Sequence, residues 1–221
     1  MGCLYFFISD CLLTISECSF IIESYLASRR MGDSMRRKDD EKQNSIKRSV
    51  VQLILQEGFH GTSISKIARL AGVSPATVYI YYQNKEEMLR DIYREYAEDV
   101  FDYLLPKLLP DMSGEELIDV LIRQYYCYIH ENAETFHFVE QFRSCPSLHE
   151  GCRDLSGPSS LNGILCDYKA RGILNDFDNE NILAMLFYPV KTIAIRPFTT
   201  VAMSDDMLDE MIGIIRKALL K

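Results

Sequence analysis

The chain has 221 residues, 48% hydrophobic and 25% charged, which is enough to fill one large or two small cores and too apolar for an intrinsically disordered protein. A net charge of -8 argues against a protein that coats nucleic acid with its whole surface. The charge is uneven, however: residues 36–96 hold 11 Lys and Arg against 8 Asp and Glu, and the remainder holds 13 against 24. A mildly basic head on an acidic body fits local phosphate binding, which depends on one face; chance variation in solvated surface charge would look the same. Seven cysteines, an odd number in a chain large enough to need no staples, predict reduced thiols and a cytoplasmic protein.

Residues 1–35 read as an extension. Its apolar runs are broken by Asp10, Glu17 and Glu23, so no transmembrane helix is expected, and a signal peptide would need a basic start that is absent. Met-Gly-Cys invites lipidation, but Phe6 stands where myristoylation wants a hydroxyl. Either the reading frame is over-long, with the true start at Met31 or Met35, or the segment is a loosely packed extension, with a functional arm as the third alternative. Arg36, Arg37 and Lys38 then lead in, as a basic arm that could reach phosphates or as a frayed terminus.

Ile46, Val50, Leu53 and Ile54 lie on one face of a first helix that Gly58 is expected to end. Ile64, Ile67, Ala68 and Ala71 fall at i, i+3, i+4 and i+7, the buried face of a short second helix that Gly72 closes. Ser74-Pro75 restarts the chain with a capping hydroxyl and a proline at the first helical position. Helix, glycine turn and second short helix make a helix-turn-helix. Asn84 and Glu87 cap a fourth helix, in which Leu89, Ile92, Tyr93, Tyr96, Val100 and Leu104 keep helical spacing until Pro106.

Two prolines, Pro106 and Pro110, mark a boundary, which gives a head over residues 36–104 and a body over 105–221. Ser113-Gly-Glu-Glu116 is a capping box opening a helix through Leu117, Leu121, Tyr125 and Tyr128. Further helices are expected from about Glu134 to Phe142, from Gly157 to Gly172, and from Asn179 to about Ile195 behind Asp178, with Pro189 as a kink. Ser204 is the expected cap of a last helix whose stripe is Leu208, Met211, Ile212, Ile215 and Leu219. No strand-like alternation persists, so the fold class reads all-α.

Three segments, Thr62-Ser-Ile-x-x-Ile-Ala, Ala71-Gly-Val-Ser and Thr77-Val-Tyr-x-Tyr-Tyr-x-Asn-Lys-Glu-Glu-Met-Leu89, resemble the DNA-binding domain of TetR/AcrR family transcriptional regulators. The likeness covers about a quarter of the chain, because nothing beyond Tyr103 is similarly diagnostic. It implies an N-terminal three-helix helix-turn-helix domain and a C-terminal helical domain for ligand binding and dimerisation.

At 100° per residue Pro75, Ala76, Tyr79 and Ile80 share one arc, while Val78 and Tyr82 can turn inward. Small residues and one phenol suit close approach to base edges or a thymine methyl in the major groove. The resemblance implies that Pro75, Ala76 and Tyr79 face bases, that Thr77, Tyr81 and Lys85 hold phosphates, and that Ser65 occupies a base-contacting position. Here Ser65 and Pro75 replace longer polar side chains, which shifts weight to DNA shape. Lys85 opposes the dipole at its helix N-terminus, a cost that a phosphate would offset.

In the body, Tyr125, Tyr126, Tyr128, Phe136, Phe138 and Phe142 are either an inducer pocket or ordinary core, with Tyr125, Tyr128, Phe138 and Phe142 the candidate ligand contacts. Cys145, His149 and Cys152 are a candidate metal or thiol-redox set that lacks a complete ligand complement. No catalytic triad, phosphate loop or carboxylate pair stands out, so an enzyme is not expected, and neither is a cofactor. The partners implied are a palindromic double-stranded DNA operator, a small-molecule inducer and a second copy of the chain, forming a homodimer away from any membrane. The apolar last two helices, 179–195 and 205–220, are the expected dimer interface, or alternatively intramolecular core.

Overall fold

The computed structural model describes residues 39–142, 155–196 and 201–221, and for residues 201–204 the backbone alone. Nine α-helices appear among them: α1 (39–61), α2 (Ile64–Ala71), α3 (Pro75–Tyr81), α4 (Lys85–Leu104), α5 (Gly114–Glu131), α6 (Ala133–Phe142), α7 (Ser156–Ala170), α8 (Asn179–Ala194) and α9 (Val201–Leu219). No strand forms among the described residues; Leu174 and Leu220 make one isolated antiparallel bridge. The extension, residues 1–35, lies outside the described residues, as do Arg36, Arg37 and Lys38.

The helix boundaries follow local chemistry. Ser113 accepts from the Glu116 amide while the Glu116 carboxylate accepts from the Ser113 amide, so the two cap α5 reciprocally. Asp178 caps α8 through the Glu180 amide at 2.8 Å, and Pro189 sits inside that helix. Asn84 caps α4 through the Glu87 amide at 2.7 Å. Two expectations need correction. Gly58 does take the left-handed φ of 72°, yet the chain makes one further helical turn, to residue 61. The last helix begins at Val201, so Ser204 lies within its first turn instead of capping it.

Two cores result. The head's core joins Ile46, Val50 and Ile54 of α1, Ile67 and Ala68 of α2, Val78 of α3, and Met88, Leu89 and Ile92 of α4. Phe138 and Phe142 of α6 complete it, which ties the body to the head without a gap. Leu117, Leu121 and Ile122 of α5 form the body's core with Leu161 and Leu165 of α7, Ile182, Leu186 and Val190 of α8, and Ile212, Ile215 and Leu219 of α9. Gly157 lets α7 abut α4, since a Cβ there would lie 2.2 Å from the Cβ of Phe101. Glu98 of α4 fixes the same junction by accepting from the Gly157 amide at 2.6 Å and from the Ser156 hydroxyl.

Candidate nucleic-acid interface

Local sequence sets the angle between α2 and α3. Ser63 caps α2, and Gly72 closes it at φ 70°, a conformation in which a Cβ would be strained. The Val73 amide returns to the Ala68 carbonyl at 2.9 Å. Ser74, extended at ψ 152°, then accepts from the Thr77 amide at 3.1 Å, with Pro75 at the start of α3. The Ser45 hydroxyl of α1 donates to the Ala71 carbonyl at 3.0 Å and pins the turn to the first helix.

Thus held, α3 shows two faces. Val78 is fully buried and Tyr82 is 5% exposed, both in the head's core. On the opposite arc Tyr79 is 56% exposed and Ile80 78%, with Pro75 and Ala76 exposed beside them. Ser65 on α2 is exposed as well. Half-buried Thr77 has its hydroxyl 2.9 Å from that of Ser74.

The residues that resemblance assigns to phosphates are engaged within the fold. Tyr81 donates its phenol hydrogen to the Asp39 carboxylate of α1, and that bond, ahead of burial, pushes the phenol up to about 12. Lys85 departs furthest from the sequence reading. Its ammonium donates to the carbonyls of Phe59 at 2.9 Å and Thr62 at 3.1 Å, and lies 3.8 Å from the centroid of the Phe59 ring. The helix-dipole cost that suggested a phosphate therefore has an internal offset. Lys66 is likewise spent on Glu57 and the Gly61 carbonyl, and Lys47 on Glu95 at 2.6 Å.

In the body, Tyr125 and Tyr128 line a cavity between α4, α5, α6, α7 and α8. Phe138 and Phe142 do not: they lie in the head's core, 0% and 9% exposed. Sequence spacing could not separate them from Phe136, which lines the cavity from the same helix. The cavity residues missed from sequence, Phe101, Glu140, Glu180, Phe187 and Lys191, come from helices far apart in the chain. The Cys145, His149 and Cys152 set lies outside the described residues, and no group of three or more His, Cys, Asp or Glu is placed to hold a metal among those described.

Residues 50–92 match the family model of bacterial regulatory proteins, tetR family. That stretch is a domain of the TetR family. Its proteins are DNA-binding transcription regulators rather than enzymes. A crystal structure of a TetR family transcription regulator from Marinobacter aquaeolei VT8 has a TM-score of 0.70 and 25% identity, covering 84% of this chain and 99% of that one. The transcriptional regulator FadR from Bacillus subtilis, solved in complex with stearoyl-CoA, shares the fold with a TM-score of 0.61 at 22% identity, over 76% of this chain and 97% of that one. Among curated proteins, the fatty acid metabolism regulator protein of Bacillus subtilis (strain 168) is 27% identical over 78 residues, 35% of this chain and 40% of that protein, so the match spans less than half of that relative. No helix among the described residues is long and apolar enough to cross a membrane.

Proposed function

We propose that this TetR-family chain is a cytoplasmic repressor that binds a palindromic double-stranded DNA operator as a homodimer and is released by a small molecule held in the body. One observation carries the reading: α3 keeps Tyr79 and Ile80 in solvent while its other face is buried. A seven-residue helix has few contacts to offer. Two copies, about one DNA turn or ~34 Å apart, would multiply them.

Exposed apolar residues on the last two helices favour pairing. Tyr188 of α8, Ile195 just past its end and Ile214 of α9 are 47%, 52% and 51% exposed. A four-helix bundle across a two-fold axis would cover them. Ligand and head are linked through α6, which offers Phe136 to the cavity and Phe138 and Phe142 to the head's core. A ligand that prefers one setting of α6 shifts the spacing of the two heads by its differential affinity.

The test is Tyr79→Ala in a mobility-shift assay on the DNA upstream of the chain's own gene. Specific binding should fall by about tenfold or more while helical content is retained, the loss expected for one base contact of about 1–3 kcal/mol. Wild-type binding by that variant would remove α3 as the reading helix.

A further inference from the structure

The cavity of the body has two chambers, of about 340 and 430 Å³, that share Val100, Phe101, Tyr125, Glu140 and Glu180. Each is of the size that takes a small organic molecule. The walls are aromatic: Phe187 and Tyr188 line one chamber, and Tyr93, Tyr96, Tyr128 and Phe136 the other. Tyr125 stands between them, edge to face with Phe187 at 4.8 Å and with Phe136 at 6.4 Å.

Charge within the chambers comes from Glu140, Glu180 and Lys191. Lys191 is already committed: its ammonium lies 2.6 Å from the Glu140 carboxylate, with the two side chains 18% and 26% exposed, and 5.2 Å from the Tyr188 ring centroid. Glu180 forms no ion pair among the described residues. An acidic groove along α4, lined by Asp91, Glu95, Glu98, Asp99 and Asp102 with Arg94, meets the larger chamber at Leu155. Its field reaches the chamber wall. Tyr96 is pushed up to about 12, by burial first and then by Glu95 and Asp99, and Tyr128 is raised by burial and then by Asp99.

We infer that the cavity takes an aromatic or alkyl organic cation rather than an anionic lipid, with the positive charge beside Glu180 and against the faces of Phe187 and Tyr125. This rests on the ligand-released regulator proposed above and names the class of its ligand. A cation gains ring faces and a carboxylate together. An anion would have to compete with Glu140 for Lys191 and would sit close to the Glu180 carboxylate.

Isothermal titration with tetraphenylphosphonium and tetraphenylborate, which share a shape and differ in the sign of their charge, tests the inference, with stearoyl-CoA as a third probe. The phosphonium should bind about tenfold or more tighter than the borate. Glu180→Gln and Phe187→Leu, each checked for folding by thermal melting, should each weaken the phosphonium about threefold to tenfold, the range of one cation–aromatic or charged contact. Tighter binding of the borate or of stearoyl-CoA, binding of none of the three, or phosphonium affinity unchanged in both variants overturns it. Operator binding by the ligand-free wild-type protein, run alongside, reports on the regulator reading separately.

Discussion

Replacing Lys85 with Met keeps the length and apolar stem of the side chain and removes only its ammonium. In the fold that group makes two hydrogen bonds to carbonyls, at 2.9 and 3.1 Å, and sits over the Phe59 ring at 3.8 Å. A bond from a charged donor contributes about 1.5–3 kcal/mol and a cation over a ring about 0.5–2. Lys85 is only half-buried, so solvent screens part of this and rehydrates the two carbonyls once they are released. The expected net loss is about 2 kcal/mol. With an m-value of about 2 kcal/mol/M, the urea midpoint followed by circular dichroism should fall by about 1 M. The salt dependence of operator binding should keep its slope, because the ammonium's partners are internal. A midpoint within about 0.3 M of wild type, together with a slope reduced by about one ion, would refute this reasoning and return Lys85 to a phosphate.

Other perturbations separate the remaining parts. Gly157→Ala places a methyl 2.2 Å from the Phe101 Cβ and should destabilise by about 1–3 kcal/mol, whereas Gly163→Ala, with nothing within 4 Å, should stabilise by about 0.5–1; thermal melts distinguish the two. Tyr81 and Tyr96 stand at about 12 in the fold against 10.0 for the free side chain, so the native state holds more protons between those values. Their contribution to stability is intact below about pH 10 and is lost as pH climbs toward 12; Tyr96→Phe should flatten that decline in denaturation curves taken across the range. Ile214→Glu puts a charge on the exposed stripe of α9 and should shift the proposed homodimer toward monomer in analytical ultracentrifugation, run beside the wild-type chain at the same concentration.

Much of the helical order was legible because its signals are local. A Ser cap, a Pro at the first helical position and a Gly at φ 70° specify α2, the turn and α3 within about a dozen residues, and helical periodicity alone separates buried Val78 and Tyr82 from exposed Tyr79 and Ile80. What escaped depends on distant chain. The carbonyls that hold Lys85 belong to Phe59 and Thr62, more than 20 positions away, and no rule of spacing points a lysine at them. Phe136, Phe138 and Phe142 look equivalent in sequence, yet α6 turns the first toward the cavity and the other two into the head. Glu140 and Lys191 meet across 51 positions, so the charge of the cavity could be seen only once α6 and α8 were packed. Ser204 was a good cap by type, but the helix begins three residues earlier.

The most direct test of α3 as the DNA-reading element is a hydroxyl-radical footprint of the ligand-free protein on DNA from upstream of its own gene. Two protected patches on one face of the duplex, centred about one helical turn apart or somewhat more, are expected, and with Tyr79→Ala both should require about tenfold or more protein to appear. Uniform cutting at protein concentrations up to about 10⁻⁵ M, or a variant footprint that appears at the same protein concentration as the wild-type one, would contradict it.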